Sequence, residues 1–455
     1  MSEITTFEQA LAAIWERSGY DRGYISNPFA GDEAARNGLR RTQAMLDALG
    51  NPERAYPIVH VAGSKGKGST CVFVDAILRA SGRRSGRYLS PHLHSYLERF
   101  VVDDLPIAEA DFTTLTADAI EAARLVEAST PELGEVTAFE LTTAMALLWF
   151  ARAGCDVAVI EVGLGGKLDA TNVVAPAVSV ITPLDYEHTA ILGSTMAEIA
   201  DNKAGIIKPG RPVVSAAQPD EGMRVIEERA SAASAQLLVA GRDWRTTGTD
   251  RQFSATGPWG TLENLCLSLP GRHQIDNAAL AIAAVHALGL SDITAGAIRD
   301  GLSHASLPGR FEQADPGTGQ TVIIDGAHSP SATSAIATTL RDRFPDTGIT
   351  IVVGMLRDKD PTAVLTPLVD LTDRWVAVEP ESPRALPAAE LVPILESFGM
   401  RALVAGSVAQ GIRAAIDHGT PTILVTGSLT TVAEARVALG LAGPAPSAAE
   451  TRRLG

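Results

Sequence analysis

Cysteine, aromatic residues and positive charge are all scarce in this chain of 455 residues. Its three cysteines, Cys71, Cys155 and Cys266, are odd in number and widely separated, which excludes a disulfide framework and a cysteine-based metal cluster. Aromatic residues make up 5% of the chain and the net charge is -15. A surface for nucleic acid or for anionic membranes needs clustered positive charge, so we expect neither as a partner.

Long apolar runs are missing as well. The longest, residues 144–151, is far too short to cross a bilayer. The N-terminal residues 1–15 include acidic side chains and lack the apolar core of a signal peptide. We therefore expect a cytoplasmic enzyme, and the chain length predicts two or three domains.

Apolar runs of strand length alternate with amphipathic stretches of helix length through most of the chain. Residues 56–62, 156–163 and 177–184 are mainly apolar without a polar alternation, which is typical of parallel strands covered on both faces. This alternation predicts an α/β fold whose first part is a P-loop-type, doubly wound ATPase domain over residues 1–306.

A second, shorter series of strands and helices follows a stretch rich in Pro and Gly. We interpret that stretch, residues 306–320, as a linker and turn. The series beyond it has about five candidate strands and predicts a smaller Rossmann-like α/β domain over residues 307–455. A cleft between two α/β domains is a favoured place for a substrate.

A glycine-rich loop with two lysines lies in "HVAGSKGKGST", residues 60–70. It follows an apolar strand and precedes a helical stretch, a context in which backbone N–H groups and a helix N-terminus bind phosphate. We interpret it as an ATP-binding loop whose Lys67 neutralises the terminal phosphates, and a surface turn with solvated lysines is the alternative. The loop residues predicted to bind ATP are Ser64, Lys65, Gly66, Lys67, Gly68 and Ser69.

Polar residues end three further predicted strands. Glu161 ends a buried apolar run, Ser90 follows another, and His188 follows a third. The carboxyl ends of parallel strands meet at one edge of a sheet, where open sheets bind ligands. A carboxylate, a hydroxyl and an imidazole there suit a Mg²⁺ ion completed by water and phosphate. For His188, a purely structural hydrogen bond is an equally weighted alternative.

The second half of the chain offers three more candidates for nucleotide binding. In "IIDGAHSP", Asp325 could accept from a ribose hydroxyl and His328 could orient a phosphate. The alternative is a helix-capping turn, because Asp and Ser both favour that role. Arg310, beside the predicted linker, could close over the γ-phosphate or simply be solvated.

Together and in this order, these motifs resemble the folylpolyglutamate synthase/dihydrofolate synthase family of the Mur ligase superfamily. The compact phosphate loop of the superfamily, G-[ST]-N-G-K-[GST]-[ST], is similar to "GSKGKGS". Further matching segments span most of the chain: "NGLRR" (37–41), "YLSPHL" (88–93), "TAFE" (137–140), "EVGLGGKLDATN" (161–172), "EHTAILGSTMAEIADNKAGIIKPG" (187–210), "NAALA" (277–281), "LPGRFE" (307–312), "DGAHSP" (325–330), "GMLRDKD" (354–360) and "TGSL" (426–429).

The resemblance implies an ATP-dependent ligase that joins L-glutamate to dihydropteroate, to folates, or to both, through an acyl phosphate. It implies nucleotide contacts from Asn277, Arg310 and Asp325, and two Mg²⁺ ions with Ser90, Glu161 and His188 as ligands. It also implies a monomer whose partners are small molecules. The implied pteroate-binding residues are Asn37, Gly38, Leu39, Arg40, Thr137, Ala138, Phe139, Glu140, Leu168, Asp169 and Ala170.

The resemblance further implies that Lys203 is carbamylated, which places it with Lys67 and His188 among the catalytic candidates. A carbamate can bind or orient a Mg²⁺ ion, whereas an ammonium would repel it. Carbamylation needs the neutral amine, so we expect a desolvated Lys203 with a lowered pKa. The alternative is an ordinary lysine that complements a helix dipole.

Five positions depart from the family pattern: Lys65 stands for Asn, Lys167 for Arg, Glu187 for Asp, Asn202 for Glu, and Ser329 for Asn. Only the first adds a charge beside the phosphates. Lys67 follows Gly66 directly, as the compact loop requires, so we expect Lys67 to be the phosphate lysine and Lys65 an accessory.

Other functions are less well supported by the residues. A GTPase would need an Asp where "DNKAG" has Gly205, so guanine would lose its acceptor. A non-catalytic nucleotide-binding regulator would not account for the many polar residues at the ends of the predicted strands. Another Mur-type ligase, with a UDP-sugar or peptide acceptor, normally has an additional N-terminal domain, and only about 55 residues precede the first predicted strand here.

Overall fold

The computed structural model describes residues 4–17 and 32–443. The chain divides into two compact units. The first comprises Met1–His92, Leu97–Ser268 and Gln274–Ala305, and the second comprises Leu93–Tyr96, Leu269–His273 and Ser306–Gly455.

The first unit is built around a large, mainly parallel sheet. Its strands are β1 Ile58–Ala62, β2 Ser85–Tyr88, β3 Phe100–Val102, β4 Leu105–Pro106, β5 Val157–Glu161, β6 Val178–Ile181, β7 Val213–Ser215 and β8 Leu237–Val239. Their order across the sheet is β4-β3-β2-β5-β1-β6-β7-β8. Strands β2, β5, β1, β6, β7 and β8 run parallel, and β3 and β4 are added antiparallel at one edge.

Helices of the first unit connect these strands. They are α1 Phe7–Glu16, α2 Asp32–Ala48, α3 Lys67–Ala80, α4 Glu109–Ser129, α5 Ala138–Arg152, α6 Thr189–Leu192, α7 Met196–Ala204, α8 Asp220–Ala232, α9 Arg272–Ala287 (which begins in a short stretch of the second unit) and α10 Ala295–His304. Strands β1, β5 and β6 are buried along their whole length, as their continuous apolar runs predict. The predicted doubly wound α/β domain is confirmed.

The register of the central strands brings their carboxyl ends together. Val61 of β1 is the register partner of Glu161 of β5, and Ala62 is the partner of Ile181 of β6. The loops after β2, β5, β1 and β6 therefore leave the sheet at the same edge. This is the edge at which the sequence predicts the phosphate loop and the metal ligands.

A small antiparallel sheet in the first unit is absent from the sequence-based prediction. It consists of β9 Arg245–Thr249, β10 Gln252–Gly257 and β11 Gly260–Leu265. These strands are rich in Thr and Gly and are largely exposed. They lack the continuous apolar run that marks a buried parallel strand.

The second unit contains a sheet with the order β12-β13-β17-β14-β15-β16. The strands are β12 Glu312–Ala314, β13 Thr321–Ile324, β14 Ile349–Val353, β15 Arg374–Val378, β16 Arg401–Ala405 and β17 Thr422–Thr426, and the helices are α11 Pro330–Arg343, α12 Pro361–Leu365, α13 Ala388–Ser397, α14 Val408–Asp417 and α15 Leu429–Ala438.

The five strands predicted for this unit are confirmed, and they pair in parallel. The interpretation of residues 306–320 as only linker and turn is wrong. Within that stretch β12 pairs antiparallel with β13. A strand of three residues is too short to produce a recognisable alternation in a stretch rich in Pro and Gly.

Candidate active site

The glycine loop leaves β1 after Ala62 and enters α3 at Lys67. Gly66 is the N-cap of α3 and has a left-handed backbone with φ of 82°. A Cβ on Gly66 would lie 2.3 Å from Asn277 Oδ1, and a Cβ on Gly63 would lie 1.8 Å from Thr182 Oγ1. The loop therefore requires glycine at both positions, for its backbone conformation and for close packing.

The N-terminus of α3 supplies the N–H groups that an anion would need. Helix geometry leaves the first-turn N–H groups without intrahelical acceptors, and the first intrahelical bond here runs from Thr70 N–H to Gly66 O. The N–H groups of Ser64 and Lys65 are different, because both donate to Pro183 O at 3.1 Å. The geometry thus favours phosphate binding at Lys67, Gly68 and Ser69 over binding at the Ser64 and Lys65 amides.

Lys65 forms an ion pair with a residue of the loop that follows β6. Its Nζ lies 2.7 Å from Glu187 Oε1, and the two side chains are 28% and 25% exposed. Burial alone would raise the pKa of Glu187, but the charge and the hydrogen bond of Lys65 hold that pKa below its ordinary value. Lys65 therefore ties the phosphate loop to the residue that immediately precedes His188.

Two of the three predicted metal ligands are in contact. Glu161, at the end of β5, is 6% exposed, and its Oε2 accepts a hydrogen bond of 3.1 Å from Ser90 N–H. His188 follows β6, on the opposite side of β1 in the sheet, and has a left-handed backbone with φ of 52°. Within residues 4–17 and 32–443, no group of three or more His, Cys, Asp or Glu side chains is arranged to hold a metal.

Lys203 lies in the last turn of α7 and is 4% exposed. Its Nζ donates a hydrogen bond of 2.8 Å to Gly63 O in the glycine loop. Burial, followed by the charge of Lys67, lowers the pKa of Lys203 from its ordinary value of 10.5 to about 7. The prediction of a desolvated lysine with a lowered pKa is confirmed, and its carbamylation stays a prediction.

The three predicted pteroate-binding segments pack together. Residues 37–40 lie in α2, residues 137–140 begin α5, and residues 168–170 lead into the short 3₁₀ helix Ala170–Val173. Helix α2 contacts both α5 and this 3₁₀ helix, which in turn contacts α5. The structure thus brings together three segments that are well separated in the sequence.

Glu140 holds two of these segments in place. Its carboxylate accepts from Arg41 Nε at 2.8 Å and from Arg41 Nη2 at 2.6 Å, and it also accepts from Thr137 N–H in a capping box at the start of α5. Gly38 packs so closely that a Cβ there would lie 2.8 Å from Glu140 Oε1. The acceptor positions of Glu140 are therefore largely occupied by the fold itself.

Phe139 and Asp169 have similarly close contacts. A Cβ on Gly163 would lie 2.4 Å from Phe139 Cζ, so the aromatic ring packs on the backbone just after β5. Asp169 accepts from Leu164 N–H at 2.8 Å and from Thr171 Oγ1–H at 2.5 Å. Burial raises the pKa of Asp169 above its ordinary value.

Asn277 lies in α9 of the first unit, where its Nδ2 donates to Gln274 Oε1 at 3.0 Å. In the second unit, Asp325 accepts from Phe311 N–H at 2.8 Å and from Ala327 N–H at 2.9 Å. The helix cap that "DGAHSP" predicts as an alternative comes from Ser329, whose side chain accepts from Ala332 N–H. His328 Nδ1 donates to Gly326 O at 2.8 Å, since a carbonyl can only accept.

Comparison with known proteins identifies the family. Residues 61–285 match the Mur ligase middle domain, and residues 309–429 match the Mur ligase glutamate ligase domain. The chain is 35% identical over 444 residues to the dihydrofolate synthase/folylpolyglutamate synthase of Mycobacterium tuberculosis, covering 88% of this chain and 90% of that protein. The chain belongs to the dihydrofolate synthase/folylpolyglutamate synthase family.

Solved structures of this family have the same fold. The Mycobacterium tuberculosis folylpolyglutamate synthase complexed with ADP and AMPPCP superposes with a TM-score of 0.83, at 35% identity, over 89% of this chain and 95% of that one. Escherichia coli FolC in complex with DHPP and ADP superposes with a TM-score of 0.84, at 33% identity, over 97% of this chain and 99% of that one. The family assignment and the predicted fold class are confirmed.

Several residues that shape this folylpolyglutamate synthase-like site are absent from the sequence-based prediction. Arg41 binds Glu140, Gln274 binds Asn277, and Thr182 packs on Gly63. Arg41 is the last residue of the matching segment "NGLRR", so the motif itself contained a signal for it. Gln274 lies one helical turn before Asn277 in α9, but no motif marks that pair in the sequence. Thr182 packs on a residue of a distant loop, so no local pattern exists for it.

Proposed function

We propose that the chain is an ATP-dependent ligase that joins the amine of L-glutamate to the carboxylate of dihydropteroate, of folates, or of both, through an acyl phosphate. The observation that supports it most directly is the meeting of the glycine loop, Glu161 and buried Lys203 at the carboxyl edge of adjacent strands. The curated relatives are named for both synthase activities, and one similar structure contains DHPP and ADP.

The glycine loop and α3 are the proposed site for the phosphates of ATP. The helix N-terminus and Lys67 place positive charge where the terminal phosphates would bind, and this charge stabilises the transfer of a phosphoryl group to the acceptor carboxylate. Asn277, Arg310, Asp325 and His328 are proposed to contact the rest of the nucleotide.

Mg²⁺ fits the donors present at the neighbouring strand ends. Glu161 offers a buried carboxylate, Ser90 a hydroxyl and His188 an imidazole, and Mg²⁺ characteristically binds one or two carboxylates together with water and phosphate. Two such ions, when bound, would neutralise phosphate charge during the transfer. The three side chains themselves would orient the ions.

Carbamylated Lys203 is proposed as a further anionic group of the site. A buried ammonium near Lys67 and Lys65 is electrostatically unfavourable, which is why the pKa of Lys203 falls to about 7. Carbon dioxide reacts with the neutral amine by forming an N–C bond and releasing one proton. The product replaces a positive charge with a negative one, so its formation is favoured by the charges of Lys67 and Lys65 that destabilise the ammonium.

Measurement of ADP release tests the proposed function. Purified protein is given ATP, Mg²⁺ and glutamate, with dihydropteroate, tetrahydrofolate or a UDP-sugar peptide as the acceptor, and the products are identified by mass spectrometry. We expect addition of one glutamate to one or both pterin acceptors and none to the UDP-sugar. Glutamate addition to the UDP-sugar alone would instead identify a cell-wall type of Mur ligase.

The cytoplasmic location and the monomeric state stay predictions. Among the residues that the structure describes, no helix combines the length and apolar character that a bilayer crossing needs. Light scattering of the purified protein with and without ATP measures its oligomeric state directly.

A further inference from the structure

A buried chain of hydrogen bonds links β1 to the segment that follows β5. His60, in the middle of β1, has its Nε2 2.8 Å from Thr171 Oγ1, and Thr171 Oγ1 lies 2.5 Å from Asp169 Oδ1. His60 and Thr171 are completely buried, and Asp169 nearly so. This His60–Thr171–Asp169 chain is not part of the ATP, metal or carbamate chemistry described above.

The donors and acceptors along the chain have a single consistent direction. Asp169 only accepts, because its other contacts are the N–H groups of Leu164 and Thr171. The single hydroxyl proton of Thr171 therefore points to Asp169, and Thr171 Oγ1 must accept from His60. His60 is thus the tautomer protonated at Nε2, and its Nδ1 is buried without a hydrogen-bond partner.

The surroundings keep this imidazole neutral. Burial, followed by the charge of Lys208, lowers the pKa of His60 to about 3. Lys208 itself donates to Asn172 O at 2.9 Å, next to Thr171. His60 consequently acts as a fixed hydrogen-bond donor and not as an acid or a base at neutral pH.

The same segment is also fastened to α7, just before Asp169. Lys167 N–H donates to Asn202 O at 2.7 Å, and a Cβ on Gly166 would lie 2.9 Å from Asn202 O and 3.0 Å from Lys203 O. Residues 162–169 therefore run from Glu161 past Lys203 and end at Asp169. The His60–Thr171–Asp169 chain fixes the end that leads into the predicted pteroate segment.

We propose that His60 is a positioning residue for the pterin substrate, which it orients through Thr171 and Asp169 by fixing residues 168–170 relative to the strand that carries the phosphate loop. The proposal rests on the proposed function for the identity of that substrate. It predicts a selective effect on pterin binding, because Thr171 and Asp169 belong to the segment after β5 and not to the phosphate loop.

The test compares buried hydroxyl groups inside and outside the chain. Thr171→Val removes the hydroxyl with little change of shape, and Thr171→Ser restores it. Thr350→Val is the matched control, since Thr350 Oγ1 lies 2.8 Å from Thr420 Oγ1 in an equally buried pair of the second unit. Dissociation constants for dihydropteroate and for ATP are measured by calorimetry on the full chain, together with Tm and KM for both substrates.

We expect Thr171→Val to weaken dihydropteroate binding and raise its KM about tenfold, which corresponds to the loss of one buried hydrogen bond. ATP binding should stay within about threefold of wild type, Thr171→Ser should restore pterin binding, and Thr350→Val should lower only Tm. A Thr171→Val protein that loses thermal stability like Thr350→Val and binds dihydropteroate like wild type would overturn the positioning role.

Nitrogen NMR of the histidines tests the direction of the chain independently of any substrate. We expect His60 to remain in the Nε2–H tautomer from pH 5 to pH 8, with its signals identified by their loss in His60→Gln. A ring protonated at Nδ1, or one that titrates in this range, overturns the proposal. If the wild-type protein binds no pterin, the proposed function and this substrate assignment are both refuted. If the wild type binds dihydropteroate and Thr171→Val binds it equally well, only the positioning role of the His60–Thr171–Asp169 chain is refuted.

Discussion

The buried amine of Lys203 should make the stability of this protein depend on pH above neutrality. Its pKa is about 7 in the folded chain, against an ordinary value of 10.5 for an exposed lysine. Between these two values the unfolded chain holds the proton and the folded chain does not. Raising the pH through this window therefore favours the folded state, and below pH 7 both states are protonated and the effect is constant.

The size of this effect follows from the shift. Each pH unit in the window contributes about 1.4 kcal/mol, so the free energy of unfolding should gain roughly 2.5 kcal/mol from Lys203 between pH 6 and pH 9. Lys203→Met removes the titrating group and keeps most of the side-chain volume. The unfolding free energy of the wild type, minus that of Lys203→Met, should therefore increase by roughly 2.5 kcal/mol from pH 6 to pH 9.

Chemical denaturation at pH 6, 7, 8 and 9 in buffers free of carbon dioxide measures this difference. Lys167→Met is the control, because Lys167 is an exposed lysine whose backbone N–H donates to Asn202 O, next to Lys203, and whose side chain pairs with Asp201. The difference in unfolding free energy between wild type and Lys167→Met should not increase from pH 6 to pH 9 as it does for Lys203→Met. A difference between wild type and Lys203→Met that is flat from pH 6 to pH 9 would refute the reasoning about the burial of this amine.

The same pKa controls carbamylation. At pH 8 an amine with a pKa of about 7 is about nine-tenths neutral, whereas an ordinary lysine is less than about 1% neutral. Labelled bicarbonate should therefore produce a carbamate signal in carbon NMR that Lys203→Ala loses together with ligase activity. Full turnover by Lys203→Ala at low bicarbonate would contradict the proposed carbamate.

Three further predictions concern the phosphate loop and the reaction. Lys67→Ala should reduce the rate of ADP formation by at least about a hundredfold, because the charge that stabilises phosphoryl transfer is lost. Lys65→Asn breaks only a partly exposed ion pair and should keep most activity. If Lys65→Asn lowers the rate more than Lys67→Ala does, the two assignments are reversed. Gly66→Ala should weaken ATP binding in calorimetry, since Asn277 blocks its Cβ, whereas Gly82→Ala, with φ of 83° and no atom within 4 Å of that Cβ, should not. ADP should form slowly without a pterin, and rapid release in that assay would exclude an acyl-phosphate mechanism that depends on the acceptor.

Local sequence patterns were sufficient for the parts of this protein whose structure depends on near neighbours. Residues 157–160 are apolar and buried at every position, which is typical of a strand in the interior of a parallel sheet. The glycine loop is a similar case, because a strand, a glycine turn and a helix N-terminus form an anion site within a few residues. The family resemblance could be stated from the same short motifs.

Tertiary structure alone decided which side chains meet. Lys65 and Glu187 are 122 residues apart, and Lys203 donates to a carbonyl 140 residues away. The alternation of apolar and polar residues reports which face of an element is buried, but it carries no information about the partner on the opposing element. For that reason the ion pair of Lys65 and the hydrogen bonds of His60 with Thr171 could not be predicted from the sequence, and the burial of Lys203 was expected only from the family resemblance. They depend on the packing of α7 and of the loops after β5 and β6 around β1.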